Sequence, residues 1–426
     1  MPTTEERLKT MREELLRELS RVLEYWKEAA WDPKRKLILP LDACCRPNPS
    51  GLRGSSETAG VLKAFSMGAL LKEEPGEDAG ALRTMADRAF WDLTEHFLDR
   101  EQGGVYELLF ADGNTAIGDK LTRTQSDALG AFCAYYRLSG NPEALQKAWN
   151  IWRLLEDHAH GACDDDSIFY NTCCNWEWTP YENGLELGTY LHLLEGYTLL
   201  AEVLPEEEVL LSLSGVVDTV LERWIRPDGG LYRYQRIRWQ PDGERADRFG
   251  DDARAITALS AAAEEIETCL HAGVSLPERR RQFLLGQHHL ERAKRAAVRI
   301  AEHVRREGED PLCGGIFDRT MPDGRTVTEK PAWAQAEAVT GFLRAFEYSG
   351  DSQYLDAAER TWAFVQKAIR DPAAEWHERV TKEGAPLPAE HPEEVRRSPW
   401  PSVHMMTTCV RLIDGMIQQV NEATTV

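Results

Sequence analysis

A closed ring of paired helices, all-α apart from short hairpins, is the fold this sequence predicts. Three observations predict it. Amphipathic helical runs fill the chain from end to end, no alternation of apolar and polar residues is long enough for a sheet, and one block of helices recurs at a fixed offset.

Taken in order, Thr4-Glu5-Glu6 opens the first run, with Leu8, Met11, Leu15, Leu19, Val22, Leu23 and Trp26 at the three- and four-residue steps of one helix face. Similar runs follow at 57–72, 80–98, 124–139, 142–158, 184–203, 207–224, 251–268, 287–306, 333–348, 352–370 and 402–420, about a dozen helices in all. Between them, three segments share one form: Gly103-Gly104 with Asp112-Gly113, Gly229-Gly230 with Asp242-Gly243, and Gly314-Gly315 with Asp323-Gly324. Paired glycines, a β-branched or aromatic stretch and an Asp-Gly turn read as small β-hairpins. The first and third hairpins lead into matching helices. Lys120, Gln125, Gly140, Leu145, Ala148 and Trp152 correspond to Lys330, Gln335, Gly350, Leu355, Ala358 and Trp362. Repeats of a helix pair headed by a hairpin, with no linker between them, fit one ring over 1–426, with all three hairpins on one side.

Composition narrows the function. The chain of 426 residues is 42% hydrophobic and 28% charged, so it can bury a large core and is not disordered. Its net charge of -21 argues against a nucleic acid or an anionic membrane surface as partner, because either needs a clustered basic face. Nothing resembles a membrane span or a signal peptide. Nine scattered cysteines read as reduced thiols, which points to a cytoplasmic protein. The doublets Cys44-Cys45 and Cys173-Cys174 lack the spacing of a zinc site, so neither a metal nor a disulfide is expected there. Asp164-Asp165-Asp166 reads as a solvated turn.

Three segments gather aromatic, histidine and carboxylate side chains at helix starts. The first runs from Trp176 through Trp178 and Tyr181 to His192 and Glu195, the last two on one helix face. Aromatic faces suit the apolar faces of sugar rings, although the same residues also suit a buried aromatic cluster. The second is Phe249-Gly250-Asp251-Asp252-Ala-Arg254, where the carboxylates either cap a helix or move a proton. The third comprises Trp333, Gln335 and Glu337, continued by Glu375-Trp376 and by Trp400-Pro-Ser-Val-His404. A histidine there has the intrinsic pKa to move a proton near neutrality.

In this ordered set the chain resembles the N-acylglucosamine 2-epimerase superfamily, which includes cellobiose 2-epimerases and mannose and sulfoquinovose isomerases. The resemblance rests on the Gly-Gly hairpins, on His192-Leu-Leu-Glu195-Gly, on Lys330…Trp333-Ala-Gln335-Ala-Glu337, on Tyr354…Trp362, on Asp371…Trp376 and on His404. It implies an (α/α)6 barrel and proton transfer at C2 of an open-chain sugar without metal or cofactor, using two histidines and an assisting arginine. His404 matches the second histidine. The Gly-His-Asp-x-Glu segment that carries the first reads Gly250-Asp251-Asp252-Ala-Arg254 here. The early arginine, due about five residues before Phe65-Ser66, is absent from Ala59-Gly60-Val-Leu-Lys63.

Three functions follow from these residues. One is a sugar isomerase or 2-epimerase in which Asp251 or Asp252 replaces the missing base opposite His404. The second is a glycoside hydrolase pairing Asp251 or Asp252 with Glu337 or Glu195. The third is a carbohydrate-binding protein without turnover. In each, Trp333, His192, Glu195, Trp376, Trp176 and Tyr181 are the expected substrate contacts, a small sugar is the partner, and the oligomeric state (monomer or homodimer) stays open.

Overall fold

The computed structural model describes residues 2–73, 79–163, 167–181, 184–236, 239–241, 246–389 and 395–425. Its helices are α1 (Thr4–Ala29), α2 (Ser55–Glu73), α3 (Gly80–Asp92), α4 (Thr122–Ser139), α5 (Pro142–Leu154), α6 (Leu187–Val203), α7 (Glu207–Thr219), α8 (Phe249–His271), α9 (Glu278–Gln287), α10 (His289–His303), α11 (Ala332–Ser349), α12 (Ser352–Phe364) and α13 (Trp400–Thr425). Helix α9 was not expected. It has no apolar stripe, and Leu284 is its one buried residue.

Helices α2, α4, α6, α8, α11 and α13 pack each against the next, and α13 returns to α2, so the six close a ring. Around it, α3, α5, α7, α10 and α12 each pack on the inner helix that precedes them, and α1 covers α13. This is the (α/α)6 barrel. The layers differ as their sequences require: the outer α1 buries one stripe from Leu8 to Trp26, whereas the inner α2 buries residues on every side. Five outer helices end in a five-residue π-turn, at Leu93–Phe97, Leu155–Ala159, Val220–Trp224, Val304–Gly308 and Val365–Ile369.

Short strands stitch the ring at one end. The residues just before an inner helix pair antiparallel with the segment after the next outer helix: Arg53–Gly54 with Leu108–Leu109, Lys120–Leu121 with Cys173–Cys174, Leu185–Glu186 with Tyr234–Arg236, and Lys330–Pro331 with Arg379–Val380. The loops bearing all three glycine pairs therefore lie at the end where inner helices begin. The first and third form the expected hairpins around Asp112-Gly113 and Asp323-Gly324. The middle one differs. Its strands Tyr234–Arg236 and Gln240–Pro241 pair antiparallel, with Trp239 packed against Tyr190 and Trp224. Asp242-Gly243 and Asp164-Asp165-Asp166 lie outside the described residues.

The repeat has a physical basis. Gln125 Oε1 accepts from Val105 N at 2.8 Å while its Nε2 donates to Val105 O at 2.8 Å. Gln335 does the same to Ile316, at 2.7 and 2.8 Å. Gly104 (φ 72°) and Gly315 (φ 75°) take the left-handed backbone that lets the hairpin meet the amide. Beside each clamp lies a buried ion pair, Lys120 with Asp99 at 2.7 Å and Lys330 with Asp310 at 2.9 Å. The middle repeat reverses the signs: Arg226, in the place of the aspartates, pairs with Asp247, in the place of the lysines.

No described helix is long and apolar enough to cross a membrane. The nine cysteines are unpaired, with Cys45 and Cys174 buried and Cys44 exposed.

Candidate functional site

Inner helices that all begin at one end place equivalent positions at one depth. Gly60, Asp127, His192, Arg254 and Glu337 each stand five residues beyond the first residue of α2, α4, α6, α8 and α11. All five line one cavity of about 250 Å³, together with Ser56, Glu57, Lys63, Trp333, Ser398, Trp400 and Pro401. A second cavity, of about 270 Å³, shares Trp333, Ser398 and Pro401 with the first and adds Glu375, Trp376 and Arg397.

The charges in the first cavity are arranged in order. Lys63 Nζ lies 3.1 Å from Asp127 Oδ1, and His192 Nδ1 lies 3.0 Å from the same oxygen. Arg254 grips Glu195 at 2.6 and 2.8 Å and donates to His192 Nε2 at 3.0 Å. A guanidinium can only donate, so His192 Nε2 accepts and Nδ1 carries the hydrogen toward Asp127. Burial would raise Asp127, but His192 and Lys63 outweigh it and hold the carboxylate well below its usual range. Against the same burial, Arg254 holds Glu195 down to about 2.

Glu337 behaves oppositely. Burial pushes it up to about 8, Arg254 opposes incompletely, and Glu195 and Asp251 add to the rise. Near neutrality it therefore carries a proton. His404 is stacked on Trp400, with ring centroids 4.7 Å apart and planes 15° from parallel. Burial pushes its imidazole down to about 4; Glu195 opposes this, and Lys63, Arg254 and Arg411 reinforce it. It is unprotonated at neutral pH. One site thus holds a carboxylic acid with its proton on and a histidine with its proton off.

The structure sorts the residues that sequence reasoning singled out. His192, Trp333 and Glu337 line the cavity; Glu195 lies behind it in the grip of Arg254, and His404 lies beside it against Trp400. Asp251 pairs with Arg233 and lies close enough to act electrostatically on Glu337. Trp376 lines the second cavity, its ring 3% exposed and its Nε1 donating to Glu18 at 2.9 Å. Trp176 and Tyr181 line neither cavity; they cover the first hairpin, donating to Asp99 at 2.8 Å and to Asp119 at 3.3 Å.

Asp252 requires correction. It stands three residues into α8, as Gln125 and Gln335 do in their helices, and it faces Asp247 and His303 rather than the cavity. Its side chain is too short for the glutamine's clamp, and Arg226 Nη1 instead donates to the hairpin carbonyl of Leu231 at 3.0 Å. Burial first, then Asp247, raises Asp252 well above the ordinary carboxylate range. Among the described residues, Asp247, Asp252 and His303 form the one cluster with metal-ligand spacing, but Arg226 already neutralises Asp247 there.

Sequence reasoning missed Lys63, Asp127 and Glu57, and it read Arg254 as a loss. The 210-residue offset between Gln125 and Gln335 also sets Asp127 opposite Glu337, so that signal was present. The missing arginine has a steric explanation. A Cβ on Gly60 would collide with Ser398 Oγ and lie 3.3 Å from Trp400 Cβ, so the segment before α13 fills the space. The nearby cation comes instead from Lys63, one turn further along α2.

Comparison with known proteins adds independent findings. The N-acylglucosamine 2-epimerase family model matches residues 280–394. A cellobiose 2-epimerase from Ruminococcus albus is 26% identical over 329 residues, 74% of this chain and 76% of the relative. The solved structure of cellobiose 2-epimerase from Spirochaeta thermophila superposes with a TM-score of 0.81 at 27% identity, covering 97% of this chain and all of that one. A D-mannose isomerase, 14% identical with a TM-score of 0.75 over 97% of this chain and 100% of its own, shares the fold.

Proposed function

Because the chain belongs to the N-acylglucosamine 2-epimerase superfamily, we propose that it is a sugar isomerase or 2-epimerase that moves a proton at C2 of a mono- or disaccharide. The observation that carries the reading is the convergence of Glu337, His192, Arg254 and Trp333 on one cavity bounded by Trp400, on which His404 is stacked.

In this reading the open-chain sugar lies in the cavity against Trp333 and Trp400. His404 takes the proton from C2, and the electrons move into an enediolate. Glu337 supplies a proton to complete the turnover, in the place first expected of Asp251 or Asp252. Return to the opposite face of C2 gives the epimer; delivery to C1 gives the ketose. Arg254, fixed by Glu195 and His192, supplies positive charge where the enediolate develops. A hydrolase would need a second carboxylate free to act, and Asp127, Glu195 and Glu57 each face a cation, Lys63, Arg254 and Arg396 respectively.

The test is incubation with a panel of aldoses and ketoses in D₂O, followed by proton NMR. Loss of the C2–H signal with appearance of the epimer or ketose supports the reading. Release of reducing sugar from glycosides without C2 exchange refutes it.

A further inference from the structure

The ring closes where α13 meets α2, and at that seam an ammonium and an imidazole share one indole. Lys63 Nζ lies 4.5 Å from the centroid of the Trp400 ring, on which His404 is stacked. Lys63 is fixed in place: it is 2% exposed, and Asp127, which it contacts, is itself shared with His192. Trp400 reaches Lys63 because Gly60 leaves room for the chain before α13.

Four charged groups act on His404 from the surrounding helices: Glu195 on α6, Lys63 on α2, Arg254 on α8 and Arg411 on its own α13. Glu195 and Arg254 are bound to each other at two points, so their fields largely cancel. Lys63 is the cation that rests on the same ring as the imidazole. A second positive charge on the ring that already carries the ammonium is disfavoured by like-charge repulsion.

We propose that Lys63 is a positioning residue for His404, holding the imidazole against Trp400 in its neutral, proton-accepting form. This rests on His404 being the base, as proposed above. A lysine that served only to neutralise buried Asp127 would leave His404 unaffected.

The experiment is an NMR titration of histidine-labelled protein, with the His404 signal assigned by its loss in His404→Ala. Lys63→Met raises the His404 midpoint by about one pH unit. The acid limb of C2 exchange moves to higher pH with it, and Lys63→Arg restores both. Lys63→Met/Asp127→Asn removes the buried pair together and leaves no lone carboxylate; it gives a smaller rise in the same direction, because Lys63 sits on the Trp400 ring and Asp127 does not. An unmoved His404 midpoint in either Lys63→Met variant overturns the proposal. Should His404→Ala retain C2 exchange, the catalytic reading falls, while the titration still decides whether Lys63 governs the imidazole.

Discussion

Glu337 offers the sharpest quantitative test. Its carboxyl moves from an ordinary 4.5 to about 8 on folding. The folded chain therefore holds a proton that the unfolded chain releases between those limits. At roughly 1.4 kcal/mol for each tenfold change, the full effect is at most about 5 kcal/mol. The direction follows from the raised value: the stabilising contribution is complete below pH 4.5 and is lost as pH rises through about 8. Glu337→Gln keeps the shape and cannot ionise, so the difference between variant and parent cancels every other titrating group. Denaturation midpoints measured for both proteins from pH 4.5 to 9 should diverge progressively, with the variant the more stable at the alkaline end. A total stability of about 5–15 kcal/mol makes that gap easy to see. At pH 7 the same variant should lose C2 exchange by about 10²–10⁴-fold, the usual worth of a positioned acid. Parallel stability curves would show that the carboxyl is ionised in the folded protein and would remove it as proton donor.

Three further outcomes are expected. Asp252→Asn should leave C2 exchange within about threefold of the parent and leave or improve stability, because it removes a buried acid beside Asp247 rather than a catalytic group; steady-state rates and melting curves check this. Trp333→Ala should raise KM with little change in kcat, since it removes cavity wall and no proton donor or acceptor. Gly60→Ala should destabilise by about 1–3 kcal/mol, because its methyl group collides with Ser398; a thermal midpoint equal to the parent's would show that the segment before α13 yields.

The ring was legible because both of its signals are local. The stripe from Leu8 to Trp26 needs only helical spacing, and the matched Gln125 and Gln335 need only a fixed offset. Helix α9 escaped because a short helix with one buried leucine has no stripe to read. The place of Trp239 beside the middle hairpin was not legible, because it is set by packing on Tyr190 and Trp224, a contact between distant segments. At the site, the aromatic and acidic residues of α11 stood out by type. Arg254 did not, because an arginine where a glutamate was expected looks like a loss until Glu195 and His192 are found against it. Asp252 misled for the converse reason: a doublet of carboxylates at a helix start suggests chemistry, and only its register with the two glutamines reveals a structural place.

The reversed ion pair of the middle repeat limits how far these units can be exchanged. Setting Arg226 and its hairpin where Asp99 stands would bury a guanidinium against Lys120, and setting Asp247 where Lys330 stands would press it on Asp310. Either graft leaves like charges without water to screen them, a penalty on the order of 3–5 kcal/mol for each broken buried pair. A chimaera that shuffles these three repeats must therefore carry both members of a pair in the same segment, and a junction placed inside the loop, between the two members, is expected not to fold.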